Sequence, residues 1–422
     1  MASSIHLALL TAEVAAARLE AILQCEPELG RLWRIEAAFG EAVRSVGLED
    51  VRLQEGDLVA RLTMNAGSAG GDAPGAGQGD PRGIEQAGAV LRILRQPGDV
   101  LNHPAEGLRR IEAAAAPIGV SRDAPDILTD EERTDIIAGA KRHAGLPIAG
   151  AMRAAAEFAW RSGGHAPLAE RLVFSAVEGA LRAQSGMERR QQPADGDQEH
   201  LLLGTVNACW IATPATSLTR RGFRIWSPLG TGFMAEFATM LAQSLSWDLG
   251  QVGQLRRHVQ LLSEAGQGRR GRARHADFAR WVPAHPVFSS AMVMDGIGVT
   301  RRTALSLIED FTGKGVLASI TPRRAARLWA TASLAERLLT RSAGNPRHIE
   351  APRPRIERWK DASKAASDGT ENIPVAGETP ALTLQRRHLK EENRAGMEAA
   401  MAELDKMMAE ADVILAGVRP LR

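Results

Sequence analysis

The chain has 422 residues, of which 44% are hydrophobic and 24% are charged. These values are close to the average of globular proteins, so they exclude wholesale disorder and a fibrous repeat. The net charge of +2 is unevenly spread: residues 256–360 hold twenty Lys and Arg against eight Asp and Glu, whereas residues 1–65 hold ten acids and six bases. Such segregation indicates that one region, and not the whole protein, meets a polyanion.

Apolar residues recur every three or four positions through most of the chain, which predicts a mainly α fold. The length predicts two or three domains. Asp130 is the predicted N-cap of one helix, and the runs 234–245 and 249–263 predict two amphipathic helices. The predicted order is an N-terminal helical segment (1–64), a Gly-rich linker (65–83), a helical domain (84–184), a polar break (185–200), a second helical segment (201–265), a basic arm (266–275), a winged helix-turn-helix (276–332), a disordered linker (352–380) and a C-terminal helix (384–416).

The compartment is predicted from segments that could cross or enter a membrane and from the cysteines. The uncharged run 201–219 is nearly long enough to span a bilayer, but Pro214 and several threonines make it too polar. A signal peptide has a basic segment before its apolar stretch, and the apolar start of this sequence has none. Cys25 and Cys209 lie in separate regions, so we expect no disulfide and a cytoplasmic protein without a membrane partner.

Three short helices are predicted between residues 276 and 311. The first covers 276–282, and the second begins at Ser289 or Ser290 and continues to Asp295. Glycines within 296–298 are typical of the turn of a helix-turn-helix, because that turn needs a positive φ. Thr300 is then the predicted cap of the third helix. The predicted inward residues of this helix are Ala304, Leu307, Ile308 and Phe311.

The third helix has the pattern of a recognition helix, which reads base edges in the major groove from its N-terminal end. A hairpin is predicted after it, with strands at 315–320 and 326–330 and a basic tip, like a wing that lies against the phosphate backbone. The predicted base-reading residues are Arg301, Arg302, Thr303 and Ser306. The predicted phosphate contacts are Lys314, Arg323 and Arg324, with Arg269, Arg270, Arg272 and Arg274 in the arm. The alternative is three core helices of a larger bundle with a solvated arginine face.

The run GVTRRTALSLIEDFTGKGVL (298–317) resembles the helix-turn-helix domain that ends a family of uncharacterised proteins common on plasmids of nitrogen-fixing rhizobia. Two earlier runs, SVGLEDVRLQEGDLV (45–59) and GIEQAGAVLRILRQP (83–97), are similar to the amino-terminal domain of that family, a domain of unknown function. The resemblance covers roughly two thirds of the chain and leaves out the tail. It implies a DNA-binding protein whose physiological role is not established.

The layout of that family is also distantly similar to Fic proteins, which place an all-α catalytic domain before a winged helix. Fic adenylyl transfer requires a loop of the form HPFxDGNGR, and the nearest run here, 103–107, lacks its Phe, its Asn and its closing Gly-Arg. No metal-ligand spacing, phosphate-binding loop or nucleophile elbow is found in the sequence. We therefore predict no catalytic residue, metal or cofactor.

The sequence thus predicts a protein that binds double-stranded DNA and regulates transcription, and that is not an enzyme. The competing hypothesis is a degenerate Fic-like or other helical enzyme whose winged helix mediates protein contacts. In the tail, a heptad-like seam is formed by Met397, Met401, Leu404, Met408 and Ala411. This seam predicts either a homodimer or a helix docked on its own domain.

Overall fold

The structure, a computed structural model, describes residues 2–49, 51, 53–65, 81–116, 127–162, 167–185, 204, 206–217, 231–267, 273–320, 327–343, 402 and 406. Within these residues the chain is mainly helical, as predicted, with one small sheet. The helices are α1 (Ala2–Cys25), α2 (Pro27–Gly47), α3 (Glu55–Asn65), α4 (Pro81–Arg95), α5 (Pro104–Ala115), α6 (Asp130–Lys141), α7 (Pro147–Arg161), α8 (Pro167–Ser185), α9 (Pro214–Ser217), α10 (Thr231–Gly266), α11 (Ala273–Trp281), α12 (Ser290–Ile297), α13 (Arg301–Gly313) and α14 (Ala332–Ala343). The strands are β1 (Val287–Ser289), β2 (Leu317–Ser319) and β3 (Leu328–Thr331). None of the described helices combines the length and the apolar character that crossing a lipid bilayer requires.

Several predicted segments lie outside the described residues. They include most of the Gly-rich linker, most of the polar break, the centre of the basic arm and all of residues 352–380. Of the predicted C-terminal helix, the structure describes Ala402 and Lys406, which are helical and exposed. The methionine seam of that helix therefore stays a prediction.

Prolines set the starting points of many helices. Proline is the first residue of α2, α4, α5, α7, α8 and α9. The first residues of a helix have no intrahelical partner for their N–H groups, and the fixed φ of proline already suits a helix, so proline is favoured at this position. These helix starts follow from the local sequence alone.

Helix α6 begins with a capping box at Thr129, and the prediction of Asp130 as the N-cap was wrong. The Thr129 hydroxyl accepts a hydrogen bond from the Glu132 backbone N–H at 3.2 Å, and the Glu132 carboxylate accepts one from the Thr129 N–H at 2.8 Å. This reciprocal pair satisfies two N–H groups, more than a single cap by Asp130 would. Asp130 is instead the first helical residue, and its carboxylate accepts a hydrogen bond from Arg133 at 2.9 Å.

A single helix, α10, replaces the two helices predicted over 234–245 and 249–263. No proline separates the two runs, and a Cβ added at Gly250 or Gly253 would have no neighbouring atom within 4 Å. Each glycine costs about 1 kcal/mol of helix propensity, which the packing of α10 against α1 offsets. Helix α11 also begins earlier than predicted, so Arg274 of the predicted basic arm is helical.

The predicted segments 1–64, 84–184 and 201–265 share one hydrophobic core, which we call the bundle core. Phe39 of α2 and Phe158 of α7 are fully buried in it. Phe174 of α8 meets Phe237 of α10 edge to face, with ring centroids 5.5 Å apart. Helices far apart in sequence therefore form one bundle.

Buried carboxylates in the bundle hold pairs of consecutive backbone N–H groups from distant segments. Glu13 accepts from Ile148 and Ala149 at the start of α7, Glu41 from Ala215 and Thr216 in α9, and Glu178 from Ile211 and Ala212, at 2.7 to 3.1 Å. The N–H groups at a helix start lack partners within the helix and carry partial positive charge, so a carboxylate is favourable there. Arg182, almost fully buried, forms ion pairs with Glu178 at 2.6 Å and Glu20 at 2.9 Å.

Burial raises the pKa of several carboxyl groups in this bundle. It raises the pKa of Glu13 and of Glu41 to about 7, and that of Glu170 to about 8. In each case loss of hydration outweighs the attraction of a nearby arginine and, at Glu13 and Glu41, the backbone hydrogen bonds. The folded protein therefore binds protons at these groups at pH values where the unfolded chain does not.

We expect the free energy of unfolding to increase as the pH is lowered from 8 to 5. In this window the folded state takes up protons at Glu13, Glu41 and Glu170, whereas the unfolded carboxyl groups have a pKa of 4.5. Denaturant titrations at pH 5, 6, 7 and 8 measure the effect. The variant Glu170→Gln should show a shallower dependence, and a loss of stability on acidification across this window would contradict the expectation.

Residues 273–331 form a module around a second core, in the order α11, β1, α12, α13, β2, β3. The strands pair antiparallel in the order β1-β3-β2, with Val287 opposite Ala330 and Leu317 opposite Thr331. Strand β1 is absent from the prediction, because a strand of three residues shows no alternation that the sequence could reveal.

Both faces of this sheet are covered. Val287 and Ala330 lie in the bundle core, whereas the neighbouring Phe288 and Trp329 lie in the second core, as alternation along a strand requires. Helix α14 continues from β3 onto the bundle, where its Ser333 hydroxyl donates a hydrogen bond of 2.7 Å to Glu36 of α2. The sheet therefore fixes the module against the bundle.

Candidate nucleic-acid interface

Helices α12 and α13 are joined by a tight turn whose ends are both capped. On the side of α13, the turn ends at Thr300, which caps that helix as predicted. The far end of α12 is also capped, because the Ser289 hydroxyl accepts a hydrogen bond from the Met292 N–H. Gly298 ends α12 with a φ of +63°, a left-handed conformation that glycine adopts without a Cβ penalty. Gly296 was predicted to lie in the turn, but it lies inside α12. A Cβ at Gly296 would overlap the indole ring of Trp281.

The inward face of α13 is the predicted one. The residues Ala304, Leu307, Ile308 and Phe311 are all buried. The Phe311 ring meets Phe278 of α11 at a centroid distance of 4.9 Å, and the His275 imidazole lies 3.0 Å from the Asp310 carboxylate. These contacts with α11 fix which side of α13 faces outward.

The four predicted base-reading residues lie at the N-terminal end of α13, but they differ in exposure. Arg301, Arg302 and Ser306 are exposed, and neither arginine has a hydrogen bond or an ion pair with another described residue. Thr303 is half-buried, and its hydroxyl lies 3.0 Å from that of Thr300 in the helix cap. The structure thus leaves the two guanidinium groups free to contact a ligand, while Thr303 takes part in the cap.

Two predicted phosphate contacts also have roles within the fold. The Lys314 ammonium donates a hydrogen bond of 2.7 Å to the Ala265 carbonyl oxygen near the end of α10, where a positive charge is favourable. The Arg274 guanidinium donates one of 3.2 Å to the Ile297 carbonyl oxygen and lies 3.6 Å from Asp277. Both side chains are otherwise exposed, so each retains donors toward solvent.

The remaining predicted phosphate contacts lie outside the described residues. They are Arg269, Arg270 and Arg272 of the arm and Arg323 and Arg324 of the hairpin tip. The described ends of the hairpin are joined at 2.9 Å by a hydrogen bond from the Ile320 N–H to the Leu328 carbonyl oxygen. Residues 321–326 therefore connect two strands that are paired up to this point.

The charges of α13 oppose its helix dipole. Arg301 and Arg302 lie in the first turn, where the dipole is positive, and Asp310 begins the last turn, where the dipole is negative. Such placement costs each exposed charge about 0.3 to 1 kcal/mol of helix stability. Asp310 has a structural reason for its position, because it meets His275, but the two arginines have none among the described residues. The basic first turn and the acidic residue in the last turn can both be recognised from the sequence alone.

The described residues hold no group of three or more His, Cys, Asp or Glu side chains placed to bind a metal ion. The run nearest to the Fic motif lies at the start of α5, where His103 is the N-cap position and Pro104 the first helical residue. Helix initiation therefore accounts for Pro104, whereas the His103 side chain makes no capping hydrogen bond.

No family model matches the chain, and a search of curated proteins finds no match to it. The resemblance to the plasmid-borne rhizobial family stays a prediction.

We expect the variants Arg301→Glu and Arg302→Glu to be more stable than the wild type. An acidic residue in the first turn of α13 reverses the unfavourable charge, which should raise the free energy of unfolding by roughly 0.3 to 1 kcal/mol for each variant. Denaturant titration at low ionic strength measures the change. The matched control is Arg18→Glu, because Arg18 is exposed in the middle of α1 and has no charged residue three or four positions away. Equal effects at all three sites would contradict a dipole origin.

Proposed function

We propose that the protein binds double-stranded DNA sequence-specifically through residues 273–331, which act as a winged helix-turn-helix with α13 as the recognition helix. The observation that carries this proposal is the pair Arg301 and Arg302. Both are exposed and unpaired among the described residues, at a helix end where positive charge reduces stability. A recognition helix presents its base-contacting groups at this same end.

The geometry around α13 supports the proposal. The helix has 13 residues, so it is about 20 Å long, and its exposed side suits a major groove about 12 Å wide. Gly298 sets the turn between α12 and α13, and the β2–β3 hairpin follows α13 directly. A winged helix-turn-helix requires two helices joined by a tight turn and followed by a hairpin, which is the order of these elements.

Phosphate contacts would come from cations on either side of α13. Two of them are described residues, namely Arg274 on α11 and Lys314 in the turn just after α13. The arm and hairpin arginines Arg269, Arg270, Arg272, Arg323 and Arg324 belong to the same proposal through their places in the sequence. Such contacts orient a protein on the duplex without reading sequence.

A cytoplasmic location, a role in transcription and a homodimer formed through residues 384–416 complete the proposal. Dimeric helix-turn-helix proteins bind two half-sites about one helical turn apart, so a dimer would favour a pseudo-palindromic site.

We expect duplex binding to weaken steeply with salt, with a slope of log affinity against log salt of about −0.9 for each phosphate contacted.

We expect Arg301→Ala and Arg302→Ala each to cost roughly 1 to 3 kcal/mol of binding free energy on a selected site and less on random DNA, because base contacts are lost. Fluorescence anisotropy with duplexes isolated by site selection, at two salt concentrations, gives both quantities.

The control for this experiment is Arg18→Ala. It removes the same charge from the bundle, on an exposed side chain of α1, and should leave both affinities unchanged. A flat salt dependence would contradict the proposed phosphate contacts. An equal loss in all three variants would show that α13 does not read DNA.

A further inference from the structure

One acidic side chain lies in the centre of the surface that we propose to meet DNA. Arg302, Ser306, Glu309 and Gly313 are exposed and are spaced by four, three and four residues, so they form a single stripe along α13. This stripe lies opposite the buried residues of the helix. Glu309 therefore follows Arg302 along the same line, two turns later.

The fold gives no reason for a carboxylate at this position. Glu309 has no hydrogen bond or ion pair with another described residue. The residues three and four positions away are Leu305, Ser306, Thr312 and Gly313, so no base lies at helical spacing.

A carboxylate on a DNA-reading face is repelled by phosphates unless it accepts a hydrogen bond from a base. Only cytosine N4 and adenine N6 offer amino donors in the major groove, and Glu typically accepts from cytosine. Resting on the proposed function, we propose that Glu309 accepts a hydrogen bond from a cytosine amino group and fixes a C·G pair in the binding site.

The spacing along α13 gives the place of this base pair. Seven residues of helix separate Arg302 from Glu309, which is about 10.5 Å of rise. Successive bases of one strand lie about 3.4 Å apart. A helix that lies in the groove is inclined to the DNA axis, so the cytosine lies within about three base pairs of the base that Arg302 contacts, for which guanine is the usual partner of an arginine.

The experiment is site selection from a random duplex library with the wild-type full chain, E309Q and E309A. We expect the wild type to prefer C·G over other pairs at one position by between about fivefold and a hundredfold, the range for one base contact. E309Q should shift that position toward adenine, which an amide can contact at two atoms, and E309A should abolish the preference there. The preference set by Arg302 should persist in both variants.

Glu131→Gln is the matched control, because it removes an exposed acid from α6 in the bundle. Circular dichroism and thermal denaturation confirm that each variant is folded. If E309Q raises the affinity for every sequence equally and leaves the preference unchanged, Glu309 only repels phosphate, and the inference is wrong while the proposed function stands. If the wild type binds no duplex, the proposed function itself fails.

Discussion

The alternation of side chains along β3 determines how the module of residues 273–331 is attached to the rest of the protein. Ala330 enters the bundle core, and Trp329 enters the second core on the opposite face of the sheet. A strand buried on both faces cannot shift register by one residue without exchanging the two sets of side chains. Because β3 is also the central strand, the positions of β1 and β2 depend on it. The orientation of α13 relative to the bundle therefore depends on β3, together with the contacts that Lys314 and α11 make with α10.

The charges on α13 illustrate a conflict between helix stability and the proposed binding of DNA. Exposed arginines at the start of a helix are unfavourable for that helix, and so are acids near its end. The capping hydroxyl of Thr300 and the buried face ending at Phe311 compensate for this cost within the helix. Local rules that a sequence breaks without structural benefit tend to mark functional positions. At Asp310 the structure supplies the benefit, through His275, and at Arg301 and Arg302 it does not.

The parts of the fold that the sequence predicted are those set by neighbouring residues. The Thr300 cap, the glycine turn at Gly298 and the four inward residues of α13 follow from spacings within one or two helical turns. The exposed N-terminal side of α13 was also predictable, because all its residues lie on one helix and follow one spacing. Phosphate-binding roles were predicted from charge alone. Charge alone does not reveal that the Lys314 ammonium donates a hydrogen bond to the Ala265 carbonyl oxygen near the end of α10.

What the sequence could not reveal are contacts between distant residues. Glu178 and the backbone of Ile211 and Ala212 are separated by more than thirty residues, and nothing in either segment identifies the other. The continuity of α10 depends in the same way on packing against α1, at the other end of the chain. Even the error at Asp130 was local in origin, since the capping box at Thr129 was present in the sequence and only its first residue was misassigned.

The double burial of the sheet limits how the protein can be divided for experiments. A fragment starting at Ala273 would contain every element of the module, yet it would expose Val287, Ala330 and the inner face of α14 to water. Apolar surface of that kind on a small domain favours aggregation. The bundle without the fragment would lack the same side chains from its core. Cloning the module alone would therefore yield an insoluble or altered domain, and DNA-binding measurements belong on the whole chain.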